Sequence, residues 1–354
     1  MAIFRGKKLT IEIYGESHAD KVGAVVHGFP PLDYDSEELS RFMARRRASG
    51  AVFSTARVEP DEPVWQGVTN GHVEGDFAVD IYNRNVHSND YDALQAKPRP
   101  AHADYAWHLK DGTTNFAGGG RFSARLTAPL VAVGGLCKQY LHQKGVDVYA
   151  YIAAIGTAQG MSYKNADFRW QAAVEASALP FPAAQNASEM LEQIAAAKAE
   201  GDSVGGRIEC LVSGLAGGVG DNLFEGLEGK LAALLYAIPA VKGVEFGSGF
   251  DLCRMRGSEA NDALFYDDGK VCFATNHMGG INGGISNGNF LSMAVAVKPT
   301  PSIAKEQRTV DLALGQNTTI RIKGRHDACI VPRAVPVVEA AVAIALTDES
   351  AALE

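Results

Sequence analysis

Two histidines sit where an imidazole can do chemistry. His18 closes the run Gly15-Glu16-Ser17-His18, and His102 lies in Arg99-Pro100-Ala101-His102-Ala103-Asp104-Tyr105. Near neutral pH a histidine in such a loop can serve as a general acid if a carboxylate three residues away or nearer orients it. Taken singly, a histidine is more often a satisfied structural residue, so neither assignment stands on its own. His27, His72, His87, His108 and His142 have no neighbours that lift them above that reading.

Arginines supply the second signal. Arg121, Arg125, Arg325 and Arg333 fall in two matched segments, with Arg46, Arg47 and Arg57 upstream. In a chain of net charge −8, so many guanidinium groups call for a multiply anionic ligand, gathered locally against an unfavourable global field. The same net charge speaks against nucleic acid. Arg45, Arg46 and Arg47 end a helical stripe, which leaves two readings open: cations placed against a helix dipole, or an anion site. Gly118-Gly119-Gly120 is a weak phosphate-loop signal, with no Walker-type lysine and no complete dinucleotide fingerprint beside it. Metal-ligand spacing is absent, so no metal is expected. Cys137, Cys210, Cys253, Cys272 and Cys329 are odd in number and widely spaced, which suits reduced buried thiols.

Strand-like sequence near Leu9–Tyr14 and Val22–Val26 brackets the His18 turn. Asp35 and Glu38 have capping-box spacing ahead of a helix whose apolar face is Leu39, Phe42 and Met43. Residues 60–117 read as irregular. A small apolar helix is expected over Ala124–Leu141, a strand over Asp147–Thr157, and a helix capped by Asn186 and Glu189 running to Glu200. Further helices are expected over Leu223–Tyr236 and from Pro336 to Leu346, with a strand over Phe290–Val297. Between them the run Asn276–Gly288 is crowded with glycine, which lets backbone approach a ligand closely.

The chain also repeats itself. Gly15, Ser17, Val26 and Gly28 recur in register as Gly201, Ser203, Val212 and Gly214, and Gly120-Arg121 recurs as Gly324-Arg325. Two echoes in one order predict a single domain over 1–354, with duplicated halves at about 1–145 and 195–354, a connector at about 146–194, and a pseudo-two-fold axis. Where the copies differ, chemistry should be sought: His18 against Val204, and Ser123 against Asp327.

In order along the chain, several blocks are similar to those of chorismate synthases: Gly15–His18, Arg45–Arg47, Arg99–Tyr105, Gly119–Arg125, Ala240–Glu245, Asn276–Gly288, Lys298–Ile303 and Gly324–Asp327. The resemblance covers almost the whole chain. It implies an α+β sheet-and-helix sandwich of internally repeated halves, assembled as a homotetramer. The implied reaction is a 1,4-elimination of phosphate from 5-enolpyruvylshikimate 3-phosphate, giving chorismate with the help of reduced FMN, which is not consumed overall. By that resemblance His18 protonates the leaving phosphate, His102 stabilises the ring of the reduced flavin, and Asp327 takes the flavin N5 proton. Arg121, Phe122, Ser123, Ala240, Gly283, Lys298, Thr300, Ser302 and Arg325 would contact the flavin. Ser17 and Arg46 would contact substrate or NADPH, whereas Arg125 and Arg333 are assigned to the anion site from their clustering alone.

The sequence departs from the family pattern at Val52, Ala101, Asn115, Ala117, Phe122 and Leu126. Two of these remove arginines, which bears on substrate affinity and on NADPH as a reductant. Two other readings are weighed: a non-catalytic flavin-binding paralogue and an ATP-dependent small-molecule kinase. The residues assigned to proton transfer are all present, which favours the enzyme. No apolar run is long enough to span a bilayer, and Met1-Ala2-Ile3-Phe4-Arg5 begins no signal or transit pattern. A cytoplasmic protein without a membrane partner is therefore expected.

Overall fold

The computed structural model describes residues 1–47, 59–84, 96–116, 119–165, 168–177, 187–322 and 327–351. The first half of the chain contains β1 (Ala2–Arg5), β2 (Thr10–Gly15), β3 (Lys21–Asp33), α1 (Ser36–Ala44), β4 (Pro63–Gln66), β5 (His72–Tyr82), α2 (Asp104–Asp111) and α3 (Thr127–Gln143). Then come β6 (Asp147–Ile155), β7 (Ala158–Gln159), α4 (Trp170–Ser177), α5 (Ala187–Ala199), β8 (Gly206–Ser213), α6 (Leu227–Ala237), β9 (Val241–Phe246) and the one-turn α7 (Gly257–Ala260). Short hairpins β10 (Leu264–Asp267) with β11 (Lys270–Phe273) and β12 (Ile281–Asn282) with β13 (Ile285–Ser286) precede β14 (Leu291–Val297). The hairpin of β15 (Gln307–Asp311) and β16 (Gln316–Ile320) leads to the last helix, α8 (Val331–Ala351).

Two five-stranded antiparallel sheets have the same wiring. One runs β1-β2-β3-β5-β4 and the other β7-β6-β8-β14-β9. In each, two strands pair, a helix follows (α1 or α6), the third strand takes the edge, the fourth inserts between it and the second, and a long helix (α3 or α8) closes the set. The segment 147–155 is therefore a strand of the second sheet and not part of a connector, so the second set of elements begins there. Its alternation is masked because nearly the whole strand is buried.

The helices fill the space between the sheets. α3 packs on β3 and α1, α8 packs on β6, β8 and α6, and the two long helices pack on each other. Their contact is close enough that a Cβ on Gly134 would come within 2.3 Å of Ala340 Cβ, so glycine is required there. Both helices are apolar nearly all round because each is covered on every side.

Several expectations shift. Asp35 does cap α1, its carboxylate accepting from the N–H groups of Glu37 and Glu38. The stretch read as irregular contains β4, β5 and α2, and β5 alternates Val73, Phe77, Val79 and Ile81 into the core. β3 continues through Pro30-Pro31, the irregularity being absorbed by register shifts after Val26 and Phe29. α8 starts at Val331, ahead of Pro336, so that proline lies inside the helix, past its first turn. The expected matches at Gly324 and the cap at Asn186 lie outside the described residues.

Candidate active site

The β2–β3 turn presents Ser17 and His18. Gly15 opens it at φ 92°, where a Cβ would meet the Lys21 carbonyl oxygen at 2.4 Å. The Ser17 N–H donates to the Gly120 carbonyl at 3.3 Å, tying this turn to the glycine segment ahead of α3. In the second half Gly201 has φ 67° at the matching position, but the residues after it do other work. Ser203 Oγ donates to the Thr300 carbonyl at 2.7 Å, and the Val204 N–H donates to the Ala328 carbonyl at 2.9 Å. One copy of the turn thus offers a histidine to a cavity, and the other braces two segments that reach the same cavity.

That cavity has a volume of about 590 Å³, within the ~300–1,000 Å³ usual for small-molecule sites. Ser17, His18, Arg46, His102, Arg121, Phe122, Ser123, Arg125, Ala240, Lys298, Thr300, Ser302, Asp327 and Arg333 all line it. Gly283 does not; it sits exposed at the turn of the β12–β13 hairpin. Arg325, Val52 and Ala117 lie outside the described residues. Eight arginine and lysine side chains line the cavity against three carboxylates among the described residues, so an acidic protein has concentrated positive charge at one place.

Asp61 organises the arginines, although no motif or spacing marks it. Its buried carboxylate accepts from Arg46 Nη1 at 2.6 Å and from Arg125 Nη1. Burial alone would raise the Asp61 pKa, but Arg46 and Arg125 outweigh it and hold the group below its ordinary value. Burial lowers Arg46 to about 10, opposed by Asp61 and reinforced by Arg333 and Arg125; it remains a cation at neutral pH. Arg46 also donates from Nε to Thr127 Oγ1 at 2.9 Å and from Nη2 to the Ala124 carbonyl at 3.0 Å. Arg125 donates to Asn83 Oδ1 at 2.7 Å and to the Tyr82 carbonyl at 3.4 Å. These two arginines are thus engaged mainly with the protein. Arg47, from the same arginine run, lines the cavity with its Nε buried and lacking a hydrogen-bond partner among the described residues.

The second half contributes an acid and a base. Arg333 donates from Nη1 to Asp327 Oδ2 at 2.7 Å and from Nε to the Arg46 carbonyl at 3.0 Å, linking Asp327 to the arginine cluster. Lys298 follows β14, its N–H donating to the carbonyl of Ala240, which turns at φ 75°. Burial, and then the charge of Lys242, lowers the Lys298 pKa. No carboxylate pairs with Lys298 among the described residues.

His102 is held from behind. Asp104, buried at the start of α2, accepts from Arg99 Nε at 2.7 Å, from Arg99 Nη2 at 2.8 Å and from the Arg99 N–H at 3.0 Å. Its Oδ1 lies 2.5 Å from His102 Nδ1. Burial would raise Asp104, but hydrogen bonds from Arg99 and His102 take it down to about 2. The β15–β16 hairpin steadies this loop through Thr309 Oγ1, which donates to the Pro98 carbonyl at 2.5 Å, and the Leu312 N–H, which donates to the Ala96 carbonyl at 2.9 Å. Ala101, standing where the family pattern has glycine, adopts φ 58°. At the cavity edge the Trp107 ring meets Phe122 edge-on at 5.3 Å and lies under the Arg121 guanidinium at 4.8 Å.

Comparison with known proteins agrees along the chain's length. A family model described as chorismate synthase matches residues 9–351. The chorismate synthase of Korarchaeum cryptofilum is 41% identical over 350 residues, covering 97% of this chain and 96% of its own length. That of Thermococcus kodakarensis is 42% identical over 349 residues, with 97% and 96% covered. A crystal structure of a chorismate synthase superposes with a TM-score of 0.72 at 27% identity, covering 98% of this chain and 92% of that one. On its sequence, its fold and the residues gathered in its cavity, the chain belongs to the chorismate synthase family.

Proposed function

We propose that this chain converts 5-enolpyruvylshikimate 3-phosphate to chorismate with reduced FMN, as a homotetramer in the cytoplasm. The observation that carries this is the convergence of His18, His102 and Asp327, from three separate segments, in one cation-lined cavity. In the overall reaction the ring C–O bond to phosphate breaks with its electron pair, a ring hydrogen is lost as a proton, and a new carbon–carbon double bond forms.

The residues fit an anionic flavin. Lys298 is half-buried beside another cation, and Thr300 Oγ1 is buried without a hydrogen-bond partner among the described residues; both favour a bound phosphate. Lys298, Thr300, Ser302, Ala240, Arg121, Phe122, Ser123 and His102 would hold the group, with Arg325 and a Gly283 from outside this cavity as further candidates. Reduced FMN, when bound, supplies a transient electron that makes phosphate departure accessible.

The chain's own residues do the rest. Arg47, backed by the Asp61-held Arg46 and Arg125, meets the anionic groups of the substrate. His18 donates a proton to the departing phosphate, and Asp327, fixed by Arg333, accepts one. NADPH as the source of reducing equivalents remains a separate proposal. Anaerobic chorismate formation with chemically reduced FMN, and then with NADPH and oxidised FMN, tests both. Flavin binding with no turnover under the first condition would refute the catalytic reading in favour of a flavin-binding paralogue.

A further inference from the structure

The geometry points to Asp104 as a positioning residue that, locked by Arg99, fixes the tautomer of His102 so that its Nε2 carries no proton when the ring is neutral. The role of His102 rests on the function proposed above; the tautomer does not.

Asp104 Oδ2 receives the Arg99 N–H and Nε, and Oδ1 receives Arg99 Nη2 and faces His102 Nδ1 at 2.5 Å. Asp104 is ionised at neutral pH, so it can only accept. A bare Nδ1 lone pair against a carboxylate oxygen at that distance would be repulsive, so Nδ1 carries the proton. Arg99 Nη2 lies 3.2 Å from the same Nδ1 and could donate to a bare nitrogen there, but its two hydrogens face Asp104 Oδ1 at 2.8 Å and the Phe116 carbonyl at 3.5 Å, so the closer carboxylate decides where the ring proton sits. Neutral His102 therefore keeps Nε2 as its acceptor atom, on the ring edge away from Asp104 in a cavity-lining residue. The arrangement resembles the aspartate–histidine pair of serine proteases in logic, with an arginine in addition to hold the carboxylate.

The same count predicts what Asp104→Asn does. The asparagine oxygen is drawn to the Oδ2 position, where two donors converge, which turns its NH2 toward His102 Nδ1. Nδ1 must then accept, and the proton moves to Nε2. Asp104→Glu keeps an acceptor at the end of a longer arm and should retain the original tautomer.

Magic-angle-spinning NMR of sedimented protein labelled with ring-15N histidine reads this directly, His102→Gln identifying the resonances. Expected at a pH where the ring is neutral are a protonated Nδ1 in the wild type and in Asp104→Glu, and a protonated Nε2 in Asp104→Asn. With reduced FMN and substrate, kcat of Asp104→Asn should fall by on the order of 10²–10⁴ with KM changed much less, and Asp104→Glu should recover most of it. A protonated Nε2 in the wild type overturns the inference, even if Asp104→Asn does not fold. An unchanged tautomer or an unchanged kcat in a folded Asp104→Asn also overturns it. If the tautomers behave as stated while the wild type makes no chorismate, the reaction assignment fails and the positioning role stands.

Discussion

Asp61→Asn separates a charge clamp from a merely polar one. The substitution keeps the side-chain shape but removes the charge between two guanidinium groups that are 4% and 7% exposed, Arg46 and Arg125. One carboxylate oxygen becomes an NH2 facing a donor, and two buried cations lose their shared counter-charge. Breaking a buried ion pair from one side costs about 3–5 kcal/mol. With an unfolding entropy of about 2.1 cal/mol/K per residue over 354 residues, that loss lowers Tm by about 4–7 °C in the approximation of a single transition. Scanning calorimetry at neutral pH and low salt measures it. The pH dependence has a fixed sign. The folded pKa of Asp61 lies below the ordinary 3.8, so its contribution is present in full above the unfolded value and is lost as pH falls through the folded one. The gap between wild type and variant should therefore close only below about pH 4. Added inorganic phosphate should restore part of the variant's stability by supplying an anion to the two guanidinium groups left without a counter-charge. A variant melting within a degree of the wild type at neutral pH would show that Arg46 and Arg125 do not depend on Asp61, and the clamp would have to be abandoned.

Other changes test separate parts of the site. His18→Ala and Asp327→Asn should each bind FMN yet lose on the order of 10²–10⁴ in turnover, and the double variant should lose less than the product because the two serve one coupled transfer; full activity of either with chemically reduced FMN would remove its assigned role. Lys298→Met should weaken FMN by roughly 10-fold or more, the worth of one charge-assisted bond of ~1.5–3 kcal/mol, and an unchanged Kd by flavin fluorescence counts against a phosphate contact. Ala101→Gly should raise stability by up to about 1 kcal/mol, because a left-handed alanine costs ~1–2 kcal/mol and glycine's extra unfolded-state entropy offsets part of the relief; a lower Tm in calorimetry would refute that.

His18, His102 and Asp327, which the structure brings to one cavity, could be picked out because they lie in short blocks that follow the family order, and the echo along the chain set His18 against Val204. The residues that hold them in place could not. Asp61 touches Arg46 and Arg125 from positions 15 and 64 residues away, and no local pattern encodes a contact between segments so far apart. Its need could be inferred only from charge: several arginines in one pocket require a buried anion. Asp104 lies only two residues from His102, but nothing in the run Arg99–Tyr105 tells that Arg99 locks it. In the fold, β5 was hidden by the turn at Asn70-Gly71 and by Gly75, although its later residues alternate cleanly. The strand β6 was assigned to a connector because the echo detected in the sequence begins only at Gly201, after the second copy's first strand has passed.

The two sheets explain why repeats that began alike no longer match where it matters. His18 lines the cavity from the first turn, while the matching position of the second turn holds Val204. The second turn serves packing instead: Ser203 fixes the carbonyl of Thr300, and Val204 is partly buried against the core while its N–H fastens Ala328, next to Asp327. The second turn thus anchors the segments that deliver Thr300 and Asp327 to the cavity. Valine suits that place, since an imidazole there would have to find hydrogen-bond partners among apolar side chains. The difference between the two turns therefore leaves His18 lining the cavity from one of them, while the other fastens the segments that bring Thr300 and Asp327 to it.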